Sequence, residues 1–220
     1  GQKQVFSAEH ATEGPVVLKI LHGPGVNVEE IRREVLAVQK TNHPRVPLVY
    51  EVGVLNTPLG QHVWFRERRI QGECLRPIIV RGPLAAHEVL RAGLHVLEVL
   101  EEAAKAQLVH RDIKPENVIR DGSGSFCVID FGLARHLDLV SLTADHAPHG
   151  KGTFGYSAPE QMRNDKRAID GRADLFALGV TLYECVTGDN PFTAGVPGWN
   201  HAERQRRAEN EPLPRCQLAI

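Results

Sequence analysis

The sequence predicts an α+β fold in which a small, sheet-rich lobe is followed by a larger helical lobe. Apolar runs and alternating segments separated by turn-like residues dominate the first part of the chain. Helical spacing of three and four residues takes over after Gly72. Strands that precede helices, instead of alternating with them, are typical of α+β proteins. The 220 residues, 42% hydrophobic and 24% charged, suffice for one large domain or two small lobes.

In the first part, QVFSAEH and PVVLKIL predict two strands around the turn ATEG. The segment NVEEIRREVLAVQK predicts a helix that Asn27 caps, with Glu30 three residues later. Its apolar stripe consists of Val28, Ile31, Val35 and Val38. The segments LVYEVGVL and HVWFRERRI then predict a hairpin.

Two helices dominate the second part. A helix over residues 84–106 is predicted by an apolar stripe at steps of three and four, formed by Leu90, Leu94, Leu97, Leu100 and Ala104. The segment ADLFALGVTLYECVTG is apolar nearly all round, which indicates a helix buried in the lobe, and Gly188 is its expected end.

Composition narrows the function. A net charge of −1 creates no bulk attraction to nucleic acid, and no stretch approaches the ~18 apolar residues of a membrane span. Four cysteines without CxxC spacing indicate reduced thiols and a cytoplasmic domain. The chain starts at Gly1, so we expect a piece of a longer protein, and a membrane anchor outside this chain stays open.

The segment LVHRDIKPENVIRDGSGSFCVIDFGLAR carries the predicted chemistry. Pro115 prevents a regular helix, so a loop presents Asp112 and Asn117 together. The short apolar strand FCVID then delivers Asp130. An amide oxygen and a carboxylate suit Mg²⁺, which keeps substrate phosphates in its shell. Asp112 is then available as a proton acceptor, and Lys114 can neutralise charge on a phosphate.

Four motifs in order carry a family resemblance over nearly the whole chain: VVLKI, HRDIKPEN, DFG and GTFGYSAPE. They resemble those of eukaryotic-type serine/threonine protein kinases, and SAPEQ and DGRADLFALGV are closer to bacterial members. The resemblance implies a bilobal kinase fold, with an N-lobe at residues 1–71 and a C-lobe at residues 72–220.

The resemblance also implies site roles. Lys19 would hold the α- and β-phosphates of ATP, and Glu34 would orient Lys19. Asp112 would be the catalytic base beside Lys114, and the metal ligands would be Asn117 and Asp130.

Further roles follow from the same resemblance. The adenine would lie between Val17 and Ile119, under Val5. Asp174 would anchor the catalytic loop. A regulatory group would comprise Arg111, which meets a phosphorylated activation loop, the candidate phosphorylation sites Ser141 and Thr143, and Thr153, which bridges Asp112 and Lys114.

The chain departs from the family pattern in three places. The glycine-rich loop should precede Val5, yet Lys3 stands where its last glycine is expected. The segment FRERRIQGECL puts Glu67 or Arg68 where an apolar residue and an acidic hinge residue are common. The family's last helices would follow the end of this chain, so we expect truncation at both ends.

The resemblance implies a Mg²⁺-dependent serine/threonine kinase that acts on protein substrates and ATP, since DIKPEN is typical of Ser/Thr members. A small-molecule kinase of related fold is one alternative, and GTFGYSAPE, a peptide platform, argues against it. A pseudokinase, a nucleotide-binding scaffold module, is the other. The intact charged positions argue against a pseudokinase, whereas the missing glycines argue for it.

Overall fold

The computed structural model describes residues 2–22, 27–41, 43–58, 60–131, 155–165, 167–197 and 200–215. Three predicted regulatory residues lie outside these ranges: Ser141, Thr143 and Thr153.

The smaller lobe is built on an antiparallel sheet of four strands in the order β1-β2-β4-β3. Its elements are β1 (Gln2–His10), β2 (Gly14–His22), helix α1 (Val28–Thr41), β3 (Val49–Thr57) and β4 (Gly60–Arg68). All five were expected from the sequence patterns. The sheet-rich first lobe is therefore confirmed.

Strand register puts the predicted nucleotide-binding residues on one face of this sheet. Val5 pairs with Lys19 across β1 and β2, and Val17 pairs with Glu67 across β2 and β4. Directly paired residues share a face, as do residues two apart along a strand. Lys3 therefore shares the face of the other four.

Helix α1 covers the sheet on its buried side. The Asn27 side chain accepts a hydrogen bond of 3.1 Å from the backbone amide of Glu30, as the capping pattern predicts. Ile31 and Val35 are buried and form a core with sheet residues such as Val63. The apolar stripe of α1 is confirmed.

The larger lobe contains a second antiparallel sheet, in the order β5-β6-β7, and most of the helices. Its elements are β5 (Gly72–Cys74), α2 (Leu75–Arg81), α3 (Ala86–Lys105), a 3₁₀ turn (Pro115–Asn117), β6 (Val118–Asp121), β7 (Phe126–Val128), α4 (Pro159–Met162), α5 (Gly171–Thr187) and α6 (His201–Asn210). In the described part of the chain, no helix is both long and apolar enough to span a bilayer.

Helix α5 is the buried helix that the sequence predicts. It starts after Asp170, which accepts a hydrogen bond of 2.9 Å from the amide of Arg172. It ends at Gly188, whose φ of 84° is left-handed and whose amide donates a hydrogen bond to the carbonyl of Glu184.

The two lobes also contact each other directly, because the Val128 amide donates a hydrogen bond of 2.8 Å to the Arg45 carbonyl.

The buried face of α3 differs from the predicted one. Leu90, Leu94 and Leu97 are exposed, whereas Val96, only 1% exposed, lies on the buried face with Ala92, Val99 and Ala103. Of the predicted stripe, Leu100 alone is buried. Small residues on the buried face let α5 approach closely: a Cβ added at Gly93 would lie 3.1 Å from Leu182 Cδ1.

We predict opposite sensitivities for the two faces of α3. Val96→Ala should lower the free energy of unfolding by about 2 kcal/mol, because it leaves a cavity in the core of the larger lobe. Leu94→Ala removes a side chain that is 62% exposed and should change it by less than ~0.5 kcal/mol. Urea denaturation of both variants tests this. A larger loss for Leu94→Ala would contradict the observed packing.

Candidate active site

Asp174, in the first turn of α5, holds the backbone of the loop that carries Asp112. Its carboxylate is 2% exposed and accepts two hydrogen bonds of 2.7 Å, from the amides of His110 and Arg111. Arg111 has a φ of 68°, a left-handed conformation that is unfavourable for a side-chain-bearing residue. Burial raises the pKa of Asp174, although His110 and the two amides oppose this shift. These bonds stabilise a strained turn immediately before Asp112.

Asp112, Lys114 and Asn117 form one polar cluster, as the motif predicts. Lys114 Nζ lies 2.7 Å from Asp112 Oδ2. The amide nitrogen of Asn117 donates to the same oxygen at 2.9 Å and to the backbone carbonyl of Asp112 at 2.8 Å. Asn117 is buried, and both of its amide hydrogens are used. Among the described residues, the hydrogen bonds recorded for this side chain use its amide nitrogen and not its amide oxygen.

His110 joins this loop to the segment that carries Asp130. Its Nε2 lies 3.0 Å from the Ile129 carbonyl, and its Nδ1 accepts from the Asp112 amide at 3.2 Å. The ring also meets Phe131 edge to face at 4.7 Å. His110 has no exposed surface, which confirms the interpretation as a packed structural histidine.

Asp130 contacts two lysines of the smaller lobe. Its Oδ1 lies 2.7 Å from Lys19 Nζ, and its Oδ2 accepts a hydrogen bond of 2.6 Å from Lys3 Nζ. Burial alone would raise the pKa of Asp130, but Lys19 and Lys3 outweigh burial and hold the pKa well below its usual value. Asp130 is thus an ionised carboxylate at neutral pH. Its backbone is in the left-handed conformation, with a φ of 63°.

The structure differs from the prediction for Glu34. Lys19 and Glu67, 3% and 6% exposed, form a buried ion pair. The acidic partners of Lys19 within the described residues are Glu67 and Asp130, and Glu34 is not among them. A small cavity lies beside Lys19. Helix α1 contributes two apolar side chains to its lining, Val35 and Val38.

Sheet register explains why Glu67 contacts Lys19. Val17 pairs with Glu67 across β2 and β4, and Lys19 is two residues farther along the same face of β2. Glu67 therefore reaches Lys19 within the sheet, whereas Glu34 would have to reach it from a separate helix. The sequence did draw attention to Glu67, because this acidic residue stands where the family commonly has an apolar one. The motifs gave no reason to pair it with Lys19.

The remaining predicted residues have definite positions. Val5 and Val17 lie on the face of the sheet that carries Lys19, with Val5 half exposed and Val17 half-buried. Ile119 is half-buried on β6 in the larger lobe. The Arg111 carbonyl accepts a hydrogen bond of 2.9 Å from the Gln161 side chain, which ties α4 to the catalytic loop.

The segment YSAPE docks on the larger lobe through a buried polar network. Arg76 on α2 donates to Glu184 on α5 at 2.7 Å, and the Tyr156 hydroxyl contacts both side chains. Gly155 has a φ of 112°, and a Cβ there would lie 2.7 Å from Thr193 Cγ2. The segment YSAPE is thus anchored to α2 and α5.

The cleft fits a divalent metal with oxygen ligands. Asp130 Oδ1 is buried and has no donor in hydrogen-bonding geometry among the described residues, although Lys19 is close. The Asn117 amide oxygen would be the second hard ligand of a metal bound here. No group of three or more His, Cys, Asp or Glu side chains in the described residues could hold a metal alone. A metal bound here would need further oxygen ligands, as phosphate groups provide.

Comparison with known proteins agrees with this geometry. The family model described as the protein kinase domain matches residues 2–212. Serine/threonine-protein kinase PknL of Mycobacterium tuberculosis is 35% identical over 184 residues, which cover 81% of this chain and 44% of that protein. A probable serine/threonine-protein kinase of Corynebacterium efficiens is 31% identical over 97% of this chain and 33% of its own length.

A third relative is serine/threonine-protein kinase PknB of Mycobacterium tuberculosis. It is 32% identical over 167 residues, which cover 76% of this chain and 26% of that protein. The chain therefore spans less than half the length of each of these relatives.

We predict that Glu67 is needed mainly to balance the buried charge of Lys19. Glu67→Met should lower the free energy of unfolding by about 3 kcal/mol, because it leaves Lys19 to share Asp130 with Lys3. The double variant Lys19→Met/Glu67→Met should recover most of that loss. Urea denaturation provides the measurement.

Glu51→Met is the matched control, because Glu51 lies on the neighbouring strand and is exposed, and the contact recorded for it among the described residues is a 3.5 Å approach to Arg66. Its cost should stay below ~0.5 kcal/mol. If Glu67→Met were as mild as Glu51→Met, the buried Lys19–Glu67 pair would be disproved.

Proposed function

Since this chain belongs to the protein kinase family, we propose that it is a serine/threonine kinase domain that transfers the γ-phosphoryl group of ATP to hydroxyl groups of proteins. The observation that carries the proposal is the convergence of two charged groups of residues. Asp112, Lys114 and Asn117 form one in the larger lobe, and Lys19 contacts Asp130 across the cleft. The relatives' names support Ser/Thr specificity.

In the proposed reaction Asp112 is the proton acceptor. The substrate hydroxyl oxygen forms a bond to the γ-phosphorus, the bond from that phosphorus to the β,γ-bridging oxygen breaks, and ADP leaves. The hydroxyl proton passes to the Asp112 carboxylate. Lys114, already 2.7 Å from Asp112, orients that carboxylate and neutralises charge on the transferred group.

The family uses ATP with a divalent metal, and we assign Mg²⁺ to this site. Asn117 would hold it through its amide oxygen and Asp130 through its carboxylate, two ligand types that Mg²⁺ prefers. When bound, Mg²⁺ neutralises the charge of the phosphates. Lys19 would contact the α- and β-phosphates, while Val5, Val17 and Ile119 would supply the apolar surfaces for the adenine.

Regulation by phosphorylation is part of the proposal. Ser141 and Thr143 would accept phosphate, and Arg111 would bind the phosphorylated segment through a charge-assisted hydrogen bond. Thr153 would bridge Asp112 and Lys114. The docked segment YSAPE, fixed by Tyr156 and α4, supports a protein as the phosphate acceptor, as opposed to a small molecule.

We also propose a cytoplasmic domain. Cys127 and Cys185 are buried as free thiols, and burial raises the pKa of Cys185 to about 12. Such protonated thiols suit a reducing compartment.

Asp112→Asn tests the proposed base. The substitution keeps the shape of the side chain and removes its basicity, so phosphoryl transfer from radiolabelled ATP to a protein acceptor should fall about 100-fold or more. Nucleotide affinity should remain close to that of the wild type. Asp189→Asn, at an exposed position outside the cleft, is the matched control and should keep full activity.

Equal transfer by Asp112→Asn and the wild type would rule out Asp112 as the base. A wild-type protein that binds ATP and transfers no phosphate to any protein acceptor would instead indicate a pseudokinase.

A further inference from the structure

We propose that Lys3 is a second phosphate-binding lysine, which contacts the metal-bound phosphates of ATP beside Lys19. The inference rests on the proposed function, because it gives Lys3 a ligand only if the cleft binds ATP. Lys3 stands at the position where the family resemblance implies the last glycine of a loop that covers the phosphates.

Geometry brings the two lysines to one point. Lys3 is two residues from Val5 on β1, and Val5 pairs directly with Lys19 on β2. The two lysines therefore project from the same face of the sheet. Their ammonium groups lie 2.6 and 2.7 Å from the two oxygens of the Asp130 carboxylate. Lys3 thus extends from the roof of the cleft to the predicted metal ligand on its floor.

The two lysines differ in their other partners. Lys19 is almost completely buried and has Glu67 as a second carboxylate. Asp130 is the acidic side chain recorded against Lys3 within the described part of the chain. The Lys3 side chain is also more open, with 22% of its surface exposed. Within the described residues, Lys19 can therefore lose Asp130 and keep its ion pair with Glu67, whereas the ion pair recorded for Lys3 is the one with Asp130.

Binding of a metal at Asp130 changes this balance. Carboxylate oxygens that ligate a metal would neutralise the two ammonium groups less, so the ammonium group of Lys3 would become available to another anion. The phosphates that complete the metal shell bring negative charge to the same place. A lysine ammonium binds phosphate as a compact point charge and can turn from one oxygen to another on its flexible stem. The phosphates are the anion that fits.

An alternative role for the contact between Lys3 and Asp130 predicts the opposite change in ATP affinity. If Lys3 served only to neutralise Asp130 while no metal is bound, it would compete with the metal, and its removal would strengthen binding of ATP with the metal. If Lys3 binds phosphate, its removal weakens binding in proportion to the number of phosphates. The sign of the effect separates the two roles.

The test measures dissociation constants for ATP, ADP and adenosine, each with Mg²⁺, by titration calorimetry on the full protein. Lys3→Ala should weaken ATP binding about tenfold, weaken ADP binding less, and leave adenosine binding unchanged. Lys3→Arg, which keeps the charge, should remain within about threefold of the wild type for all three ligands. Gln4→Ala, on the opposite face of β1, is the control and should match the wild type throughout.

Unchanged adenosine affinity also shows that the Lys3→Ala pocket is folded. ATP affinity that is unaltered or increased in Lys3→Ala, with a wild type that binds ATP and transfers phosphate, would overturn this inference and leave the proposed function intact. A wild type that binds none of the three nucleotides or nucleosides would overturn both.

Discussion

The arrangement of charged side chains in the cleft depends on the ion pair between Lys19 and Asp130. It is a 2.7 Å contact between a strand of the smaller lobe and a loop of the larger one. Lys19 points into the cleft because sheet register places it on the inner face, and Glu67 balances its charge there. Asp130 reaches it from a left-handed backbone conformation immediately after β7. A cleft in which the Asp130 carboxylate faces cationic side chains follows from this one contact.

Strain and its compensation are concentrated at this cleft. Arg111 and Asp130 both have positive φ, which costs about 1 kcal/mol or more for a residue with a side chain. Buried hydrogen bonds around them compensate: Asp174 binds the amides before Asp112, and His110 links the catalytic loop to the Ile129 carbonyl. These groups touch neither metal nor phosphate in the proposed reaction. Their effect is to fix the side chains that do.

Local patterns were predictable from the sequence, and pairings between distant segments were not. The cluster of Asp112 and Asn117 could be predicted because the two residues are five positions apart and Pro115 lies between them. The apolar stripe of α1 could be predicted from its helical spacing. The pairing of Lys19 with Glu67 joins residues 48 positions apart and depends on strand register, which the residues alone did not specify. The buried face of α3 was predicted wrongly because large leucines suggested a core, whereas close contact with α5 selects smaller residues such as Gly93.

A crystal structure with Mg²⁺ and a non-hydrolysable ATP analogue tests the central claim most directly. We predict a metal about 2.1 Å from an oxygen of Asp130 and from the amide oxygen of Asn117, with the ammonium group of Lys19 on a phosphate oxygen. A nucleotide bound away from Lys19, or a metal that lacks Asp130 in its shell, would contradict it.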